Sequence, residues 1–180
     1  MVRFLSLIIH INLYRPLSSK NEQARGFVDA CVMNFELVSS LIIKYCKCSY
    51  FDPARDAKKD IQDAINQAQK THRRILLDVG GDRCIWCLRL DSLFLQNKDL
   101  AEYLNKHYVV VKVNVSTENK NEEFLSNYPK VAGYPHLFVL DRNGKLLHSQ
   151  DTEKLEYPKN YPVKGHNKKK VFKFLKKWAR

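Results

Sequence analysis

The stretch ILLDVGGDRCIWCLRLD, residues 75–91, constrains this chain more than any other. An apolar run of strand type meets a glycine pair, and a helical pattern starts directly after it. Cys84 and Cys87 sit on that junction, with two residues between them. This spacing puts both sulfurs on the first turn of a helix, close enough to close a small disulfide ring. Free N–H groups and the positive end of the dipole at a helix N-terminus stabilise a thiolate. The thiolate is the nucleophile, so Cys84 is the candidate attacking sulfur. Cys87, one turn deeper, is placed to attack a mixed disulfide and release the product. Arg83 adds a cation next in sequence, worth about 1 kcal/mol in partly exposed surroundings. Two other readings compete: a pair of core thiols, or half of a zinc site completed by Cys46 and Cys48. Against zinc stand the 35 residues between the pairs and the missing glycine and polar turn residues.

The pattern around this junction alternates helix and strand. FDPARDAKKDIQDAINQAQK offers Asp52 as N-cap and Pro53 as first helical residue. Ala57, Ile61, Ala64, Ile65 and Ala68 then share one helical face. RILLDV reads as a buried strand, and the segment after Cys87 as a helix with a break near Asn97. YVVVKVNV, residues 108–115, is β-branched and reads as the best strand. ENKNEEFLSNY is a short polar helix. HLFVLDRNGKLLHSQ is a hairpin turning at Arg142-Asn143-Gly144, with positive φ angles expected at Asn-Gly. Residues 150–166 read as loop. NKKKVFKFLKKWAR sets Val171, Phe174, Leu175 and Trp178 on one face and lysines on the other. The helical crossover makes the first two strands parallel, and the hairpin adds an antiparallel pair. The expected architecture is α/β: a mixed four-stranded sheet with helices on both faces.

Charge sharpens the picture. Asp78 interrupts ILLDV and Lys112 interrupts VVVKVNV, and a charge in an apolar strand is costly unless paired or neutral. On neighbouring strands the two would meet beneath the cysteines, where the carboxylate can act as base for Cys87 through water. Alternatively, Asp78 caps the Gly80-Gly81 turn and Lys112 reaches the surface. Of the net charge of +12, residues 164–180 supply eight Lys/Arg and no acid. That tail is either a basic helix for nucleic acid or anionic membrane, or a terminal helix that covers the sheet and exposes its lysines; the second reading is preferred, with no specific nucleic acid expected. Five cysteines are too few for a disulfide scaffold, and Cys31, Cys46 and Cys48 read as incidental thiols. Residues 1–49 form a leader or extension. FLSLIIHINL is a poor h-region, Met33 is an alternative start, and no uncharged span is long enough to cross a membrane, so membrane contact is expected only through this segment.

The strand, then DVGGDRCIWC and its helix, then VVVKVNV and GYPHLFVLDRNGKLL, resemble the thioredoxin superfamily over roughly residues 50–180. Within it the likeness is to thioredoxin-like proteins with a GGxxCxWC site, many of them bacterial and exported. The resemblance implies a thioredoxin fold, a monomer, and thiol–disulfide exchange without a cofactor or metal. Protein disulfides would be the substrates, and a second thiol/disulfide protein would recycle the pair. It implies that Cys84 attacks and Cys87 resolves, that Pro135 is cis, and that Tyr134 offers its backbone to an extended substrate. Trp86 joins the substrate-binding surface. Asp78 and Lys112 match a buried proton-relay pair. His136 and Arg83 would tune the sulfurs, a histidinium favouring the thiolate; the alternative is His136 as a satisfied strand residue facing away. The sequence departs from the family at Arg83, where Trp is common, and at Ile85-Trp86 between the cysteines, so the direction of exchange stays open. Oxidation or isomerisation of exported proteins is the enzymatic alternative. A binding module with a basic C-terminal helix is the non-enzymatic one. A periplasmic or secreted location is expected, a cytoplasmic one being the alternative.

Overall fold

The computed structural model describes residues 51–179. The expected leader and Cys31, Cys46 and Cys48, with the zinc alternative that needs two of them, lie outside the described residues.

Alternating apolar residues build a four-stranded sheet in the order β2-β1-β3-β4. β1 (Arg74–Gly80) pairs parallel with β2 (Tyr108–Asn114), and the register sets Asp78 opposite Lys112. β3 (His136–Leu140) runs antiparallel to β1, and β4 (Leu146–Asp151) antiparallel to β3. The sheet is therefore mixed, as the crossover and the hairpin require.

Both faces are covered. On one, Ile75, Leu77 and Val79 meet Ala57, Ala64 and Ala68 of α1 (Ala57–Thr71) and Phe124 of α4 (Glu122–Leu125). On the other, Leu76, Leu137 and Val139 pack with Leu90 of α2 (Ile85–Gln96), Leu100 and Leu104 of α3 (Lys98–His107), and α5 (Lys168–Trp178). Strand side chains alternate faces. Asp78 and Gly80 of β1 thus share the α2 face with Leu76.

α5 packs as an element of the fold. Val171, Phe174 and Leu175 are buried, each worth about 1.5–3 kcal/mol on burial, while Lys169, Lys170, Lys173, Lys176 and Lys177 face water. The Tyr108 hydroxyl donates to the Leu175 carbonyl at 2.8 Å and ties the helix to β2.

Four local expectations are corrected. α1 starts at Ala57, where the Asp56 carboxylate accepts the N–H groups of Lys58 and Lys59. Asp52 caps only the preceding turn, accepting from Ala54. The polar helix after Val115 shortens to Glu122–Leu125 and follows Asn121, whose φ is 49°. The hairpin turn spans Asp141–Lys145, with the Asp141 carboxylate accepting from Asn143 and Lys145. Gly144 alone of the Asn-Gly pair takes positive φ, at 85°. One left-handed residue suffices for a longer loop with a bulge, whereas the two-residue turn needs two. Residues 150–166 are not all loop: β4 runs to Asp151, a 3-10 turn spans Thr152–Leu155, and a bridge joins Glu156 to His166.

Candidate active site

Cys84 is the N-cap of α2, and Cys87 lies in the first turn. The two are disulfide-bonded, with Cα atoms 5.2 Å apart. The Cys87 N–H donates to Cys84 Sγ at 3.2 Å, so the first sulfur already occupies the anion-stabilising position at the helix end. Cys84 is half-buried and Cys87 is buried.

The glycine pair serves close approach rather than a turn. A Cβ on Gly80 would fall 2.6 Å from Cys87 Sγ and 3.0 Å from Phe51, and one on Gly81 2.7 Å from the Val115 carbonyl oxygen. Gly80 remains within β1, and the left-handed glycines among the described residues are Gly144 and Gly165. The expected break at Gly-Gly is thus one residue early.

Facing Cys84 is the cis Tyr134–Pro135 bond, with the Tyr134 carbonyl oxygen 3.5 Å from Cys84 Sγ. Thr152 holds this segment by donating to the Pro135 carbonyl at 2.5 Å. The Trp86 and His166 rings meet at 88° in a T-shaped contact, and the Arg89 guanidinium lies over the Trp86 ring, 4.6 Å from its centre. Trp86, Tyr134, Pro135, Glu156 and Tyr157 help line a cavity of about 440 Å³ beside the disulfide.

Beneath the sulfurs lies a buried ionic cluster. Lys112 Nζ donates to Asp78 at 2.6 Å, and also to Asp91 of α2. Burial pulls the Lys112 ammonium down, but the two carboxylates outweigh it and hold it above the ordinary lysine range. Burial, with the Asp78 charge, pushes the Asp91 carboxyl up to about 6 against the pull of Lys112. The surface-cap alternative for Asp78 and Lys112 does not occur. Phe51 closes the cluster, its ring 4.7 Å from Lys112 Nζ.

Of the two expected tuning residues, one lies on the other face of the sheet and the other is paired with an acid. His136 shares the α1 face with Phe138, its ring 4.7 Å from that phenyl and Nε2 2.8 Å from Ser149 Oγ. That face is opposite α2, and burial lowers the His136 pKa, so a histidinium beside the sulfurs is disfavoured. Arg83 is exposed and its guanidinium lies 3.7 Å from Glu118, which offsets the cation offered to Cys84.

Sequence reasoning missed Asp91, His166 and Phe51. Asp91 had a signal: it follows Cys87 by four, so it shares that helix face. His166 is buried with both ring nitrogens unpartnered, and burial pushes it down to about 4. No spacing marks it, because the bridge to Glu156 carries it into the site.

A family model described as thioredoxin-like matches residues 56–142, which include both cysteines and Pro135. The disulfide bond reductase DsbH of Chlamydia pneumoniae is 30% identical over 94 residues, covering 47% of this chain and 56% of that protein. The chain thus spans about half the length of that relative. Spermatogenesis-associated protein 20 of Rattus norvegicus is 35% identical over 52 residues, 29% of this chain and 7% of that protein. Among solved structures, a disulphide isomerase from Xylella fastidiosa Temecula1 superposes with a TM-score of 0.60 at 26% identity, over 73% of this chain and 97% of that one. Sheet order, matched segment and cysteine turn together give this chain a thioredoxin fold.

Proposed function

We propose that the chain is a thiol–disulfide oxidoreductase acting as a reductant of protein disulfides, of the subgroup with a GGxxCxWC site. The observation that carries this is the placement of Cys84 Sγ: half-exposed, on a helix N-terminus, bonded to a buried Cys87 and facing a cis-proline segment. In the reduced state the Cys84 thiolate attacks one sulfur of a substrate disulfide, and the other sulfur leaves as a thiolate and takes a proton. The Cys87 thiol then loses its proton towards the Asp78–Lys112 cluster. Its sulfur attacks Cys84, and the second substrate thiolate leaves. The substrate gains two electrons and two protons, and the Cys84–Cys87 disulfide forms. A partner dithiol restores the pair.

Substrate binds along the Tyr134–Pro135 segment by strand addition, with Trp86 beside it. The reducing direction is favoured because a stabilised thiolate makes a couple more oxidising, and the cations that would stabilise it are turned away or neutralised. Isomerisation is the second reading, on the strength of the Xylella structure's title. Such substrates suit an exported protein. α5 is assigned to covering the sheet, since its apolar face is buried.

Insulin reduction by dithiothreitol tests the proposal. The chain should accelerate it, and Cys84→Ser should lose the acceleration; a mutant equal to wild type refutes the enzyme reading. A reduction potential below about −250 mV fits a reductant, and one above about −180 mV an isomerase or oxidant.

A further inference from the structure

The chain between β4 and α5 builds a second wall beside the disulfide. Glu156 and His166 pair as an antiparallel bridge. On one side of it the Tyr157 N–H donates to the Gly165 carbonyl at 3.0 Å, and on the other the Asn167 N–H donates to the Leu155 carbonyl at 2.8 Å. Residues 157–165 therefore stand out as a short arm pinned at its base. The Tyr161 N–H donates to the Pro158 carbonyl and turns the arm back, with the Tyr157 and Tyr161 rings stacked 4.4 Å apart. Lys164 Nζ crosses the arm to the Lys159 carbonyl at 2.6 Å. These ties fix the arm's shape, and the contact of His166 with Trp86 sets its base beside the cysteine turn.

The arm and the cis-proline segment face each other across the cavity of about 440 Å³, within the roughly 300–1,000 Å³ of clefts that hold ligands. Among the described residues, the exposed large apolar side chains are Leu95 and four others, Ile85, Tyr134, Tyr161 and Val163, which belong to the cysteine turn, the cis-proline segment or the arm. Exposed apolar groups gathered in one place mark an interaction surface. The charge of this surface runs against that of the chain. The protein carries +12, yet Asp151, Glu153 and Glu156 line the cavity, and among the described residues none of the three forms an ion pair. Burial, then Glu153 and Asp151, push the Glu156 carboxyl up against the pull of Arg89 and Lys170. Arg89 lies over the Trp86 ring, and Lys170 donates to the Glu156 backbone carbonyl. Lys159 and Lys164 also line the cavity, which leaves the acids in excess.

We propose that the arm and the cis-proline segment form a docking groove for an extended polypeptide carrying a lysine or arginine within two residues of its disulfide cysteine, with Glu153 and Glu156 selecting that residue. This rests on the exchange chemistry proposed above and names the substrate class for it. The substrate cysteine must meet Cys84 Sγ, which lies 3.5 Å from the Tyr134 carbonyl oxygen. One or two residues further along an extended chain, about 3–7 Å, a side chain enters the cavity. Lysine and arginine combine an apolar stem with a charged end. The stem packs against Trp86, Tyr157 and Val163, and the charge reaches the glutamates. A cation there relieves the mutual repulsion of the acids, whereas an acidic residue adds to it.

The test uses the full chain, reduced beforehand, and peptides whose single cysteine carries 2-nitro-5-thiobenzoate as leaving group. Lys, Gln or Glu is placed in turn at each of the two positions on either side of the cysteine. Release of the coloured thiolate gives a rate constant, divided by that with dithiothreitol to remove the peptide's own reactivity. At one position or more the order should be Lys above Gln above Glu, each step about two- to fivefold and shrinking as salt is raised. The double variant Glu153→Gln/Glu156→Gln should bring the Lys-to-Glu ratio close to one. Equal rates at every position, or Glu faster than Lys as the net charge of +12 alone demands, overturn the proposal with no variant needed. A ratio that survives in the folded double variant overturns it as well. The mixed disulfide of 2-mercaptoethanol with the same leaving group separates the two readings. A chain inert towards it refutes the exchange chemistry, whereas one that reacts with it but shows no peptide preference refutes the groove alone.

Discussion

Replacing Asp91 with asparagine should make the fold sensitive to mild acid, because it removes one of two buried groups whose responses to pH oppose each other. The Asp91 carboxyl rises from its ordinary 3.8 to about 6 in the fold. A raised pKa means that the folded state binds the proton more tightly. Its stabilising contribution is complete below the unfolded value and is lost as pH rises through the folded one. The difference of about 2 units corresponds to about 3 kcal/mol. His166 behaves oppositely, falling from 6.5 to about 4. Its contribution is present above the unfolded pKa and is lost as pH falls through the folded one, and the shift again amounts to about 3 kcal/mol. Both residues are buried, at 5% and 3% exposure, so solvent does not screen these values away. In wild type, acidification gains at Asp91 roughly what it loses at His166. Asp91→Asn leaves His166 unopposed and should cost about 3 kcal/mol of stability between about pH 7 and pH 4 relative to wild type. His166→Phe should gain a similar amount over the same interval. Urea denaturation at several pH values reads both slopes. If Asp91→Asn and wild type lose stability in parallel, Asp91 is not raised and the opposition does not exist.

Gly80→Ala puts a methyl 2.6 Å from Cys87 Sγ and should cost about 1–3 kcal/mol in denaturant melts while slowing disulfide closure, read by thiol titration. Leu175→Ala should cost about 2–5 kcal/mol, whereas Lys173→Gln on the exposed side of the same helix should change stability by less than about 0.5 kcal/mol. Thermal melts of the pair check that α5 belongs to the core rather than to a nucleic-acid surface. Tyr108→Phe removes the buried bond to the Leu175 carbonyl and should cost about 1–2 kcal/mol, measurable by urea denaturation.

Local pattern carried most of the fold into the sequence reading. β-branched runs marked β1 and β2, and the crossover fixed them as parallel. Asn97 was legible as a break because its side chain, donating to the Leu93 carbonyl, completes one helix end as the next helix begins. The start of α1 was misplaced because two aspartates four residues apart can both cap, and sequence does not say which N–H groups stay free. The pairing of Asp78 with Lys112 was legible from their positions in neighbouring strands. Asp91 was not recognised, since a lone acid on an amphipathic helix looks solvent-facing until the helix is docked. Of the two readings open for His136, towards the sulfurs or facing away, strand alternation selects the second. His166 depends on a bridge between segments ten residues apart, which no periodicity encodes.

The sheet register and the ionic site are one constraint. β1 is flanked on both sides, so a charge at Asp78 cannot reach water at a sheet edge. It needs a cation from β2 at the matching rung, on the same face. A slip of β2 by one residue would send Lys112 to the α1 face, among Ile75, Leu77 and Val79, and leave Asp78 buried without its counter-charge. The same slip would expose to α2 the valines that now pack against α1. Hydrophobic pattern and charge pairing therefore select the same alignment, and each wrong register is penalised twice. Gly80 adds a third demand on the same strand, because only a residue without a Cβ lets Cys87 descend to the level of β1. The placement of the Cys87 sulfur beside the Asp78–Lys112–Asp91 cluster thus follows from the pairing that folds the sheet, with α2 supplying Cys87 and Asp91 one turn apart.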